Sequence, residues 1–196
     1  MYKKQLVAQK IVCLLAIISS AVLFVYALGI MTDLYDALYS TMRNPNDLTQ
    51  TSVPGSIIYY DMQGFNRALL SASIVSILVS CLLYITNTHI RRRYYIANYV
   101  STALAVICNL VIIVWSHVQI EAYKAQFLQI DFEALKAHSE LWKTLYTEST
   151  FWFDIHYAVA ALLCISTVAL VLNLIWKVNL MKEEKHLLDA GKEVAA

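Results

Sequence analysis

Ile11–Thr32 reads IVCLLAIISSAVLFVYALGIMT, 22 residues without a single Asp, Glu, Lys or Arg. About 20 apolar residues in helical form cross a hydrocarbon core of roughly 30 Å. Three more intervals of the same kind follow: Ala68–Ile90, Tyr94–Ile120 and Ile155–Trp176. Soluble domains carry roughly a quarter charged residues, whereas this chain carries 15%, with 59% hydrophobic. The expectation is an all-α integral membrane protein, a single membrane domain over residues 1–196. Its spans fall at about 11–32, 68–90, 96–120 and 155–176, arranged as an antiparallel four-helix bundle.

The flank MYKKQLVAQK has the basic character of a signal peptide. Its apolar run is longer than a signal h-region, and YALGIMTD offers no small-x-small cleavage site. It reads as an uncleaved signal anchor. Four cysteines, Cys13, Cys81, Cys108 and Cys164, fall one per apolar run. With none in a loop and no C-x-x-C, they read as small packing residues rather than a disulfide framework or a redox motif.

Charge sets the orientation. Ten of the fifteen basic residues lie on the side shared by the N-terminus, the loop at 91–95 and the tail at 177–196. The loops at 33–67 and 121–154 carry five basic residues against ten acidic ones. Excess Lys and Arg mark the cytoplasmic side, so both termini are expected inside a cell membrane, with the long loops outside. The absence of N-x-[ST] in those loops fits a bacterial inner membrane. Arg91, Arg92 and Arg93 read first as the topology lock of a tight inner hairpin. A lipid head group is the sharper alternative for such a basic cluster.

The first outer loop opens on helical spacing (Leu34, Ala37, Leu38, Met42) and meets Asn44-Pro45-Asn46-Asp47, where Pro45 should stop the helix. Val53-Pro54-Gly55-Ser56 reads as a type II turn. The second outer loop has no Gly or Pro, and its apolar residues keep helical spacing among charges. A helical extracytoplasmic cap follows, made by extending the third span or by a helix on the membrane surface. The tail reads as a short helix that frays after Gly191. Aromatic clusters near both boundaries, among them Tyr26, Trp115, Phe153 and Trp176, read as interfacial anchors.

The spans hold no acid, lysine or arginine at their centres and no proline, and only the first has a glycine, Gly29. This disfavours ion-coupled transporters and proton pumps, which use such groups and broken helices. What recurs instead is small residues three and four apart: Cys13, Ala16, Ser20 and Ala27; Ser73, Ser76, Ser80 and Asn87; Asn98, Ser101, Ala105 and Cys108; Ala160, Cys164 and Thr167. Such seams let helices approach closely in lipid. Asn109 is expected to hydrogen-bond across helices.

One constellation bears on chemistry. His117 and Glu121 are four apart and so share a helix face, and His156 begins the fourth span at the same depth. They could ligate one metal ion, or the two histidines could hold haem or quinone. The plainer reading is that histidine is at home in the interface, with no cofactor. No nucleotide, zinc-protease or hydrolase motif is present, nor a basic surface for nucleic acid.

The expected function is therefore non-enzymatic: an accessory, scaffold or regulatory subunit of a larger membrane complex such as a transporter. Its partners would be lipids and another membrane protein or a second copy. A haem- or quinone-binding redox subunit and a small channel or permease are the alternatives. A periplasm-active reporter fused after Gln50 or Ala137 should be active, and one after Arg92 or at the C-terminus silent. The reverse pattern would overturn the orientation.

Overall fold

A computed structural model of the chain describes residues 2–39, 58–88, 95–142 and 148–194, together with residues 53 and 55. Most of those residues are helical, with no strand among them. In chain order the helices are α1 (Tyr2–Tyr39), α2 (Ile58–Asp61), α3 (Gln63–Asn87), α4 (Tyr95–Phe127), α5 (Phe132–Trp142) and α6 (Phe151–Val194). Four of them, α1, α3, α4 and α6, are long and apolar enough to cross a membrane. This is compatible with a multi-pass membrane protein.

The helices begin and end for local reasons. Asp131 caps α5, its carboxylate accepting from the Ala134 amide at 3.0 Å. The Ser149 hydroxyl accepts from the Phe151 amide at 3.2 Å and so opens α6. Gly55 has φ of 82°, the positive value that the third position of a type II turn needs. Its carbonyl accepts from the Ile58 amide at 3.1 Å, leading into α2.

Three expectations change in detail. α4 runs on to Phe127 and, after a short turn, α5 follows, so the second long loop is a helix extension and a separate helix at once. The apolar face of α5 turns onto protein rather than lipid: Leu135 is buried, and the Phe132 ring lies 5.3 Å from that of Phe127. The tail forms no helix of its own, because α6 continues from the span through Gly191 to Val194. The Asn44–Asp47 stop and Arg91, Arg92 and Arg93 lie outside the described residues.

The chain groups into two compact units. A terminal unit comprises Met1–Ser20, Ser76–Leu110 and Leu162–Ala196, and a loop unit Ala21–Val75 and Val111–Ala161. The boundaries fall inside continuous helices, not in linkers.

In the terminal unit, Cys13, Ala16, Leu83, Ala105 and Leu170 form a buried cluster. Beside it the small-residue seams meet: Ser20 Oγ lies 2.9 Å from both Ser76 Oγ and Ser80 Oγ. In the loop unit, Phe127 packs on Phe153 at 5.3 Å, and Phe65 on Trp115 at 5.2 Å. Several expected interfacial aromatics are thus core: Tyr26 and Phe153 are buried, whereas Phe151 and Trp176 stay exposed.

The surface is the apolar part. Val25, Leu78, Ile107 and Val168 are each more than half exposed. Among the described residues, 18 polar ones are buried beside 22 apolar ones. Water would favour the opposite arrangement, in which polar groups lie mostly outside.

Ser76 is 1% exposed and bonded to Ser20, so a larger side chain has nowhere to go. Ser76→Leu should lower the melting temperature in detergent, since overpacking costs about 1–3 kcal/mol. Ser76→Ala removes one interhelical hydrogen bond, worth roughly 0.6 kcal/mol in membranes. A leucine variant as stable as wild type would show that Ser76 faces lipid.

Candidate functional site

Two polar clusters stand out, one in each unit. In the terminal unit the cluster ties the four long helices together. Gln5 Nε2 donates to Gln9 Oε1 at 2.8 Å and to Asn173 Oδ1 at 3.4 Å. Gln9 Nε2 donates to Asn87 Oδ1 at 3.0 Å and also to the Asn87 carbonyl. Asn87 Nδ2 in turn donates to Ser101 Oγ at 3.0 Å, and Ser101 pairs with Thr86 at 2.8 Å. Gln5, Gln9, Asn87 and Ser101 are all buried. Unpaired amides in such a place would each cost several kcal/mol; paired, they fix the register of α1, α3, α4 and α6 within the unit.

Beside them, Lys177 is 4% exposed, with its amine 5.9 Å from the centre of the Tyr99 ring. At the sequence level Lys177 counted only as a positive charge at the end of a span. A helical side chain leans back toward the N-terminus of its helix, so Lys177 points into the unit rather than away from it.

Further along α4 and α6, Asn109 Nδ2 donates to Thr167 Oγ1 at 3.1 Å, the interhelical bond expected of Asn109. Ser73, Ser80 and Ala105 are buried as the seams require. Cys164 differs: it is an exposed free thiol. The buried face of α6 runs through His156, Val159, Leu163, Ser166, Thr167 and Leu170. At 3.6 residues per turn Cys164 lies roughly a third of a turn from it. Cys13 alone of the four is fully buried.

The second cluster, in the loop unit, contains the histidines. His117 on α4 and His156 on α6 do come together, ring centres 6.1 Å apart and planes within 10°. Tyr26 of α1 closes another side, its ring 5.7 Å from that of His156. Its hydroxyl donates to the Trp152 carbonyl at 3.1 Å. His156 is 1% exposed, and neither ring nitrogen has a hydrogen-bond partner. His117 is exposed.

The three-ligand metal set that the spacing allows does not form. The Glu121 carboxylate accepts from the Tyr157 hydroxyl instead. Among the described residues no group of three His, Cys, Asp or Glu side chains is placed to hold a metal ion. One turn beyond Glu121, Lys124 pairs with Asp154 at 2.6 Å, and the Thr150 hydroxyl donates to the same carboxylate. This pair is partly exposed, and such pairs contribute little to stability.

The α1 wall of this cluster depends on Gly29. A methyl group there would sit 2.4 Å from Cη2 of Trp152, so the ring needs a residue without Cβ opposite it. With the geometry in view, comparison with known proteins adds nothing further: no family model, no curated protein and no solved structure matches the chain.

Gly29→Ala should destabilise the protein by about 1–3 kcal/mol, as overpacking does. In a chain already carrying Trp152→Leu, the same change should cost much less. Thermal unfolding of the four chains in detergent measures this coupling; equal costs in both backgrounds would show that Trp152 does not rest on Gly29.

Proposed function

We propose that the chain is a non-enzymatic membrane subunit, a bundle of four antiparallel spans that binds and stabilises or regulates a larger membrane complex such as a transporter. The observation that supports this most is where the buried polar groups are directed. Gln5, Gln9, Asn87, Ser101, Ser20, Ser76, Ser80, Asn109 and Thr167 bond one another. They hold helices together rather than converge on a space for substrate. Catalysis or transport calls for polar groups held ready for a ligand; a scaffold needs them satisfied.

The charge asymmetry of the loops supports placing both termini in the cytoplasm, with α5 and the long loops as an extracytoplasmic cap. The membrane is then the cell membrane, and the lack of glycosylation sequons fits a bacterial one. The exposed apolar faces supply the contact with lipid and with a neighbouring membrane protein or a second copy. The meeting of His117 and His156 favours the second reading, a haem- or quinone-holding redox subunit.

Gentle extraction from native membranes, followed by native mass measurement, separates these readings. The expected result is a discrete assembly well above the 22.2 kDa chain, with a stoichiometric partner and no visible absorption. A monomer with a Soret band would establish the redox reading. A monomer that conducts ions or solutes in liposomes would establish a channel or permease.

A further inference from the structure

We propose that His156 is an acid-sensitive latch of the loop unit, holding while its ring is neutral and releasing when the ring takes up a second proton. The inference goes beyond partner binding and does not depend on it. His156 is 1% exposed with both ring nitrogens unpartnered. Buried polar atoms in native structures are nearly all paired, so an imidazole with two orphan nitrogens calls for an explanation. A neutral imidazole carries one donor and one acceptor, but an imidazolium carries two donors and a full charge.

The rings against His156 come from α1, α4 and α6, and each belongs to a titratable side chain. From α1 comes Tyr26, whose hydroxyl is turned to the Trp152 carbonyl. From α4 comes His117, parallel at 6.1 Å, a second imidazole rather than an anion that would offset the charge. On α6 itself the neighbour is Tyr157, its ring 6.4 Å away and its hydroxyl given to Glu121. Glu121 is the nearby anion that could answer an imidazolium, and one of its two oxygens is engaged by the Tyr157 hydroxyl. Lys124 and Asp154, beyond, are occupied with each other.

A proton on His156 therefore puts a charge in the interior, and drawing Glu121 toward the ring to meet it disturbs the Tyr157 contact between α4 and α6. The packing that accepts neutral His156 then has to give. An imidazole released to water takes up its proton at about pH 6.5, so acid below that value favours the released state.

The test uses the full chain in mild detergent, unfolded by heat at pH 7.5 and at pH 5.5. Wild type should lose about 5 °C in melting temperature on acidification, the size expected for one titrating group in a chain of this length. His156→Phe keeps a ring in place but cannot take a proton, and it should abolish the loss. His117→Gln should retain most of it. An equal loss in wild type and His156→Phe, or a loss abolished by His117→Gln, overturns the latch.

Should His156→Phe fail to fold, amide hydrogen exchange on wild type decides. Corrected for the intrinsic effect of pH, exchange at pH 5.5 should rise in residues 21–32, 111–127 and 151–161. It should not rise in 11–20, 96–110 and 162–176. A rise shared by both sets, or no rise, overturns the proposal.

Discussion

In a lipid environment every polar group must find its partner within the protein, because acyl chains offer none. That constraint governs the arrangement of this molecule. Along the spans its exposed side chains are mainly Val, Leu and Ile, and its buried residues include four serines of the α1 and α3 seams, several asparagines, two glutamines, a histidine and a lysine. Hydrophobic collapse cannot order such helices, since burying a leucine gains little when the surroundings are as apolar as the core. Shape and hydrogen bonds must do it. The seams allow close approach, so that Ser20 on one helix reaches Ser76 and Ser80 on another at 2.9 Å. The amides at Gln5, Gln9 and Asn87 then make that approach specific, because a register slip of one residue would leave several of them unpaired.

Much of this was legible in the sequence for a physical reason. Uninterrupted absence of charge over 22 or more residues has few explanations other than a membrane span, and small residues at spacing three and four mark where helices touch. The seam residues Cys13, Ala16, Ser20, Ala27, Ser73, Ser76 and Ser80 are buried accordingly. Asn109 was legible as well, since an amide within an apolar run has to bond another helix.

What stayed hidden lies at the ends of the runs. There a lysine that snorkels outward and one that turns inward look alike in sequence, so Lys177 read as a topology charge although it is buried. Gln5 and Gln9, in a basic flank, gave no sign that they pair with Asn173 and Asn87. The boundary aromatics were ambiguous in the same way: Tyr26 and Trp176 both suit the headgroup region, yet only Trp176 is exposed. Cys164, read in a seam with Ala160 and Thr167, is exposed, because spacing of three and four does not by itself centre a helix face. The His117, Glu121 and His156 set failed for another reason. Spacing brought the two rings together but could not foresee that Tyr157 would take the carboxylate.

The two polar clusters answer the same constraint differently, and the difference suggests where function resides. In the terminal unit the amides form a chain of donors and acceptors from Gln5 to Ser101, which argues for rigidity. In the loop unit His156 is buried without a partner at either nitrogen and Asn66 Oδ1 is likewise unpaired, whereas among the described residues the terminal unit leaves one such group, the Ser166 hydroxyl. Interiors that serve only to hold a shape rarely leave such groups unsatisfied, because each one lowers stability by about 1–3 kcal/mol. The closed network suits a fixed frame, and the open one suits a part that moves.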